Sequence, residues 1–173
     1  MKNILTAVRL LLLLTLITGV GYPYFMLALG GGLFPEQAAG SLLRRDGVLI
    51  GSALVAQKFS DPKYFWPRPS AADYATVPSG ASNQSPTSKA LQTAVAERQA
   101  AWVQAGAKVG REMLFASGSG LDPEISPASA LGQISRILKA RGLDGTPDQA
   151  IKLEALVEKL TQKRDLGFLG QER

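Results

Sequence analysis

ILTAVRLLLLLTLITGVGYPYFMLAL, residues 4–29, decides the fold, because Arg9 is its only charged side chain and no other charge follows until Glu36. About 20 helical residues cross the hydrocarbon layer of a membrane, and this run is long enough. Thr6, Thr15 and Thr18 do not spoil it, since each hydroxyl can return a hydrogen bond to the preceding turn. Tyr22 and Tyr24 suit a membrane interface, Pro23 predicts a kink near the helix end, and Gly30-Gly31-Gly32 predicts the exit. A cleaved signal peptide is the main competitor, with Ala28-Leu29-Gly30 as a loose small-x-small site. Its apolar core would be only about 7–15 residues long. A buried core helix rarely runs so far without charge. Residues 1–33 are therefore predicted to be a tail and a retained single-pass anchor.

Lys2, Arg9 and the α-amino group lie in a short tail, which the positive-inside rule keeps in the cytoplasm. Arg44 and Arg45 beyond the other end weaken the contrast, but long domains cross largely regardless of charge. The expectation is a single-pass membrane protein with a cytoplasmic N-terminus and an extracytoplasmic domain over residues 34–173.

With no Cys, the chain has no disulfide, thiolate zinc site or Cys nucleophile. With no His, it also lacks Ser-His-Asp chemistry and imidazole metal ligands. The net charge of +5 invites a nucleic-acid reading. Setting aside Lys2 and Arg9, the 19 basic residues exceed the 14 acidic ones by only three. No basic run interleaved with aromatics appears, so nucleic acid is not an expected partner.

Beyond the anchor, Phe34-Pro35-Glu36-Gln37 predicts a short helix over Pro35–Leu43, and Arg45-Asp46-Gly47 predicts a turn. Val48–Val55 reads as a strand with a bulge at Gly51. Prolines punctuate residues 60–85, yet Tyr64, Phe65, Trp66 and Tyr74 favour an ordered binding loop over a disordered linker. Ser85-Pro86, Ser126-Pro127 and Thr146-Pro147 each predict a helix start, the last with a capping box to Gln149. Three apolar stripes follow: Leu91, Ala94, Val95 and Trp102; Leu131, Ile134, Ile137 and Leu138; Leu153, Leu156, Val157 and Leu160. Each is predicted to face a core. Arg111–Ala116 reads as a further strand. The fold class is a single N-terminal transmembrane α-helix followed by a small α+β soluble domain.

Nucleotide motifs fail: there is no G-x-x-x-x-G-K-[ST], and the glycine clusters do not extend into a dinucleotide fingerprint. A Ser-x-x-K nucleophile also misses, since Pro86 stands where Lys89 would need Ser. Asp122 and Glu124 form a possible carboxylate pair, but Asp122-Pro123 is also a common turn former. Ser79–Asn83 and Ser117–Pro123 offer small residues, amides and hydroxyls, suited to close approach by a partner or to ordinary loop chemistry.

Four blocks, in order, resemble the C subunits of the bacterial Kdp potassium-transporting P-type ATPases. The first is Gly51-Ser52 with Gln57-x-Phe59-x-x-Pro62-x-Tyr64-Phe65-Trp66-Pro67-Arg68-Pro69-Ser70, and the second is Ser79-Gly80-Ala81-Ser82-Asn83. The third is Ala116-Ser117-Gly118-Ser119-Gly120-Leu121-Asp122-Pro123-x-Ile125-Ser126-Pro127, and the fourth is Gln133-Ile134-x-Arg136. Gly167-Phe168-Leu169-Gly170 extends the match toward the end.

The resemblance implies an accessory, non-catalytic subunit of an ATP-driven potassium importer. Its partners would be a channel-like potassium-binding subunit, a P-type ATP-hydrolysing subunit and membrane lipid. In that family the C subunit is described as a catalytic chaperone that raises nucleotide affinity, and Gln133 is the candidate residue for that effect. ATP and K+ would be handled by the complex rather than bound here as cofactors. An extracytoplasmic domain cannot touch cytoplasmic ATP, so assembly and an indirect effect are expected. Phe65, Arg68, Ser82, Asn83, Ser119 and Asp122 are the predicted partner contacts. Family members continue beyond the L-G-x-x-R segment with a V-N-V-L-x-L-N run, so a missing final strand is expected here. Two alternatives stay open: an anchored periplasmic enzyme using Asp122, Glu124 or Ser119, and a free-standing binding module.

Overall fold

The computed structural model describes residues 2–143, 146–166, 169–170 and 172–173. It comprises two compact units, Met1–Ala53 and Leu54–Arg173.

In the first unit the apolar run is helical throughout, as Leu-rich sequence without competing polar groups favours. It consists of α1 (Lys2–Leu16), a π-helical turn (Ile17–Gly21) and α2 (Tyr22–Leu33). These 32 residues are long and apolar enough to cross a membrane, and none of the most apolar window is buried, so this is no core helix. At 1.5 Å per residue the rod is about 48 Å long. Thr6 and Thr18 donate to Lys2 O and Leu14 O at 3.0 and 2.7 Å.

Two details differ from expectation. The disturbance tied to Pro23 takes the form of the wide turn just before it, where Tyr22 N–H reaches back to Ile17 O. That turn contains Gly19, whose carbonyl the Pro23 ring would meet in a regular helix. The helix also continues through the three glycines and ends at Phe34, with φ −135°. Pro35 is the reason, since a proline pushes the preceding residue out of the α region.

The helix α3 (Pro35–Ala38) is shorter than the predicted Pro35–Leu43. Gly40 and Ser41 turn left-handed (φ 87° and 49°) and close it, with Ser41 N–H donating to Glu36 O at 2.9 Å. Leu42 and Leu43 instead open β1 (Leu42–Arg45), which pairs antiparallel with β2 (Val48–Ser52). Asp46 and Gly47 both have positive φ, the geometry of a two-residue hairpin turn. The predicted bulge is present: Leu43 stands opposite Gly51 while Arg44 stands opposite Leu49. β2 stops at Ser52 rather than Val55.

The second unit is helical: α4 (Lys89–Gln104), α5 (Pro127–Leu131), α6 (Ile134–Ala140) and α7 (Pro147–Leu160). Of the three predicted starts, Ser126 caps as expected, accepting from Ser129 N–H at 3.2 Å. Ser85 and Pro86 instead lie in a turn before α4, where Ser88 N–H donates to Ser85 O. Thr146 precedes α7, but its hydroxyl donates to Leu143 O rather than joining a capping box. The predicted strand over Arg111–Ala116 is a 3-10 turn, Arg111–Leu114, closed by Met113 N–H on Gly110 O, which sinks Met113 completely. The strand prediction was misled by the consecutive apolar residues Met113, Leu114 and Phe115, which one tight turn accommodates.

Trp102, Ala107 and Met113 form the core, with Trp66, Val109, Leu114 and Ile125 packed against them. Ile134, Ile137 and Leu138 are buried as their stripe predicts. Leu131 of that stripe is exposed, and in the third stripe Leu156 and Leu160 are exposed too, so it is only half covered. Of the block Gly167–Gly170, Gly167 and Phe168 lie outside the described residues.

Candidate functional site

The segment from Asp61 to Tyr74 has no helix or strand, so its shape comes from side chains bonding backbone. Asp61 accepts from Lys63 N–H at 2.9 Å and, through its carbonyl, from Trp66 Nε1 at 3.0 Å. Ser70 Oγ accepts from Ala72 and Tyr74 N–H, and Tyr74 Oη donates to Arg68 O at 2.8 Å. The loop is ordered, as its aromatics predict.

Gln133, at the entry to α6, is fully buried. Its Oε1 accepts from Trp66 N–H at 2.8 Å and its Nε2 donates to Trp66 O at 3.1 Å. One side-chain amide thus pairs with both polar groups of one backbone residue, like a single rung of sheet. Arg136 lies one turn on and donates to Gln133 Oε1, Pro62 O and Tyr64 O at 2.8, 2.6 and 2.9 Å. Its guanidinium stacks 4.0 Å from the Trp66 ring centroid and 5.8 Å from that of Trp102. Burial lowers its pKa from the usual arginine range. Arg141 adds a bond to Lys63 O at 3.0 Å. Sequence reading included Arg136 in a block but gave it no role. The signal was a charge set between Ile134 and Ile137 on an apolar face, three residues after Gln133.

On its other side the loop meets the third block. Arg68 pairs with Asp122 at 3.1 Å, and Ser117 N–H donates to Pro69 O at 3.0 Å. A Cβ on Gly120 (φ 71°) would lie 2.9 Å from Gly80 O and 3.3 Å from Ser70 Oγ. Blocks one, two and three therefore meet at Gly120, through the Gly80 backbone and the Ser70 hydroxyl, and block four pins block one.

The predicted contact residues do not form one surface. Arg68 and Asp122 are joined and half-buried. The other Asp122 oxygen accepts from Glu124 N–H, and exposed Ser119 accepts from Leu121 N–H, so both serve loop geometry. Ser82 and Asn83 are exposed, Asn83 with φ 51°. Phe65 lines a separate apolar cleft of about 300 Å³ with Ile125, Leu156 and Leu160. Among the described residues no three His, Cys, Asp or Glu side chains group as metal ligands.

Glu112 was not singled out in the sequence. It accepts from Ser126 N–H at 2.9 Å, at the start of α5. Burial pushes its pKa up, but hydrogen bonds from Ser126 and Ser129 and the Arg68 charge outweigh this, and the net shift is downward. The ionised carboxylate is thus held better in the folded chain. Its contribution is complete above the unfolded pKa and vanishes as pH falls through the lower, folded value. Glu112→Gln is expected to lower stability by about 1 kcal/mol at neutral pH, discounting for partial exposure. The gap to the parent should close in acid, below the folded pKa; denaturant unfolding across pH checks this, and a gap independent of pH would refute it.

Residues 4–173 match the family model described as K+-transporting ATPase, c chain. The chain is 45% identical over 174 residues to the potassium-transporting ATPase KdpC subunit of Cereibacter sphaeroides, covering all of this chain and 91% of that one. Identity to the KdpC subunit of Rhodospirillum rubrum is 46% over 179 residues, with 100% and 90% of the two chains covered. For the Leptospira interrogans subunit it is 45% over 170 residues, covering 96% and 85%. Matched along nearly its whole length, with the four converging blocks inside the match, the chain belongs to the family of C subunits of the potassium-transporting ATPase.

Proposed function

We propose that the chain is a non-catalytic accessory subunit of the ATPase, which holds the complex together and influences nucleotide affinity without touching nucleotide. The observation that carries this is the Gln133 amide, which is fully buried and paired on both its atoms with Trp66. A side chain so engaged and wholly shut off from solvent cannot meet a ligand unless the loop comes apart. Its influence on the complex then runs through the loop that it shapes.

The charge pattern of Lys2 and Arg9 supports a cytoplasmic N-terminus with residues 34–173 outside the cytoplasm. On that topology the loop and the Gly/Ser segments work against the channel-like, potassium-binding subunit, with Phe65, Arg68, Ser82, Asn83, Ser119 and Asp122 as contacts. The P-type subunit is the second partner. An enzyme built on Asp122, Glu124 and Ser119 is disfavoured by the bonds that already hold Asp122 and Ser119 in their turns.

The test is affinity capture of the full tagged chain from native membranes. Recovery with a channel-like and a P-type ATPase subunit is expected; recovery alone would refute the role. Protease added to sealed spheroplasts should cut the C-terminal unit, whereas protection there would reverse the topology.

A further inference from the structure

The hairpin β1–β2 carries more apolar surface than a two-stranded ribbon in water should. Such a pair is marginal without further strands or a helix against it. Yet Leu43 is 48% exposed, Val48 65% and Leu49 51%. Directly opposed residues share a face and neighbours along a strand alternate. Leu42, Arg44 and Leu49 therefore occupy one face, and Leu43, Arg45 and Val48 the other. On each face an apolar residue stands directly opposite an arginine, Leu49 opposite Arg44 and Val48 opposite Arg45, with Leu42 or Leu43 nearer the base. A sheet that docks on a protein buries one face; a ribbon apolar on both faces fits a medium that surrounds it.

The hairpin is also tied to the end of the apolar rod. Phe34 N–H donates to Gly30 O at 2.8 Å and Ala38 N–H to Phe34 O at 2.9 Å. Ser52 Oγ then donates to Gly40 O at 2.7 Å, and Ala53 N–H to Ser41 O at 3.0 Å. This relay of hydrogen bonds keeps the ribbon close to where the rod ends, beside exposed Leu33 and Phe34.

We infer that the hairpin seats in the membrane interface beside the anchor's exit, its leucines and valine among the upper acyl chains and Arg44 and Arg45 on anionic phospholipid headgroups. The inference rests on residues 2–33 spanning the membrane. Apolar burial and two cations near phosphates are the two forces that hold interfacial segments. The ribbon would fix the height of the anchor.

The absence of Cys allows single labels at Val20→Cys in the anchor and at Val48→Cys and Leu49→Cys on opposite hairpin faces. The full chain is reconstituted in phosphatidylcholine–phosphatidylglycerol vesicles with an environment-sensitive fluorophore at each site. Lipid-borne nitroxides near the glycerol backbone should quench both hairpin probes. Nitroxides deep in the acyl chains should quench the Val20 probe. Arg44→Gln with Arg45→Gln should lower the ratio of seated to free hairpin roughly 30-fold, about 2 kcal/mol for two arginines at an anionic surface. The Val20 signal should not change. Water-like emission from both hairpin probes while Val20 is quenched overturns the inference. So does shielding of the hairpin only after the other ATPase subunits are added. An unquenched Val20 probe overturns the anchor itself, and the hairpin's place with it.

Discussion

Gly132→Ala is expected to destabilise the second unit by roughly 4 kcal/mol, a large share of the about 5–15 kcal/mol that holds a domain folded. A Cβ at this position would lie 1.8 Å from Lys108 O and 2.8 Å from its carbonyl carbon. Both obstacles are backbone, so no rotamer change relieves them. Lys108 N–H also donates to Gly132 O at 3.1 Å, and parting the two segments breaks that bond. Overpacking alone costs about 1–3 kcal/mol, and the lost hydrogen bond adds about 1. The melting temperature should fall by roughly 10–15 °C. Gly118 has open space around it, so Gly118→Ala serves as the control and should change stability by only a few tenths of a kcal/mol. Equal losses from the two variants would show that the approach at Lys108 is not what Gly132 is for.

The same contact explains where sequence reading of the helices stopped. Ile134, Ile137 and Leu138 fall on one buried face, as their spacing predicts, but the helix expected after Ser126 is interrupted at Gly132-Gln133. Periodicity records which side of a helix is apolar. It contains no term for a distant backbone pressing on one residue, and a glycine in a helical pattern only hints at one. The long apolar helix was legible because a membrane-length run is recognised by length and composition alone. Strands were harder. The hairpin turn is written in Asp46-Gly47, whereas the apolar run at Met113–Phe115 fits strand and tight turn alike until Met113 finds its pocket.

The site was legible as separate segments and not as an assembly. The first three blocks stood out in part by composition and the fourth only by family resemblance, but nothing local says that Gly80 meets Gly120, or that Trp66 pairs with Gln133. Those are choices of tertiary partner. Arg136 could have been suspected, since a charge on a buried helix face requires a partner. Which carbonyls would receive it could not be read, because Pro62 and Tyr64 are remote in the chain.

Gln133→Ala is expected to cost about 3 kcal/mol and to loosen the aromatic loop. It strips a partner from Trp66 N–H and Trp66 O, which are partly buried, and from one buried Arg136 N–H. Each unpaired buried group costs about 1–3 kcal/mol, and water admitted by the smaller side chain recovers part of the total. The melting temperature should drop by roughly 10 °C. The chain reports on this region itself, because its two tryptophans, Trp66 and Trp102, have ring centroids 5.2 Å apart beside Arg136. Their emission should shift to the red in Gln133→Ala as solvent enters. Gln133→Glu keeps an acceptor for Trp66 N–H and Arg136 but turns an oxygen toward Trp66 O, so its loss should be intermediate. These measurements separate two meanings of an effect on nucleotide. If Gln133 acts by shaping the loop, the nucleotide response of the assembled ATPase should decline across the series together with melting temperature and emission. If Gln133 were instead a direct ligand contact, Gln133→Ala would abolish that response in a subunit whose stability and tryptophan emission match the parent. The pairing with Trp66 leads us to expect the first pattern.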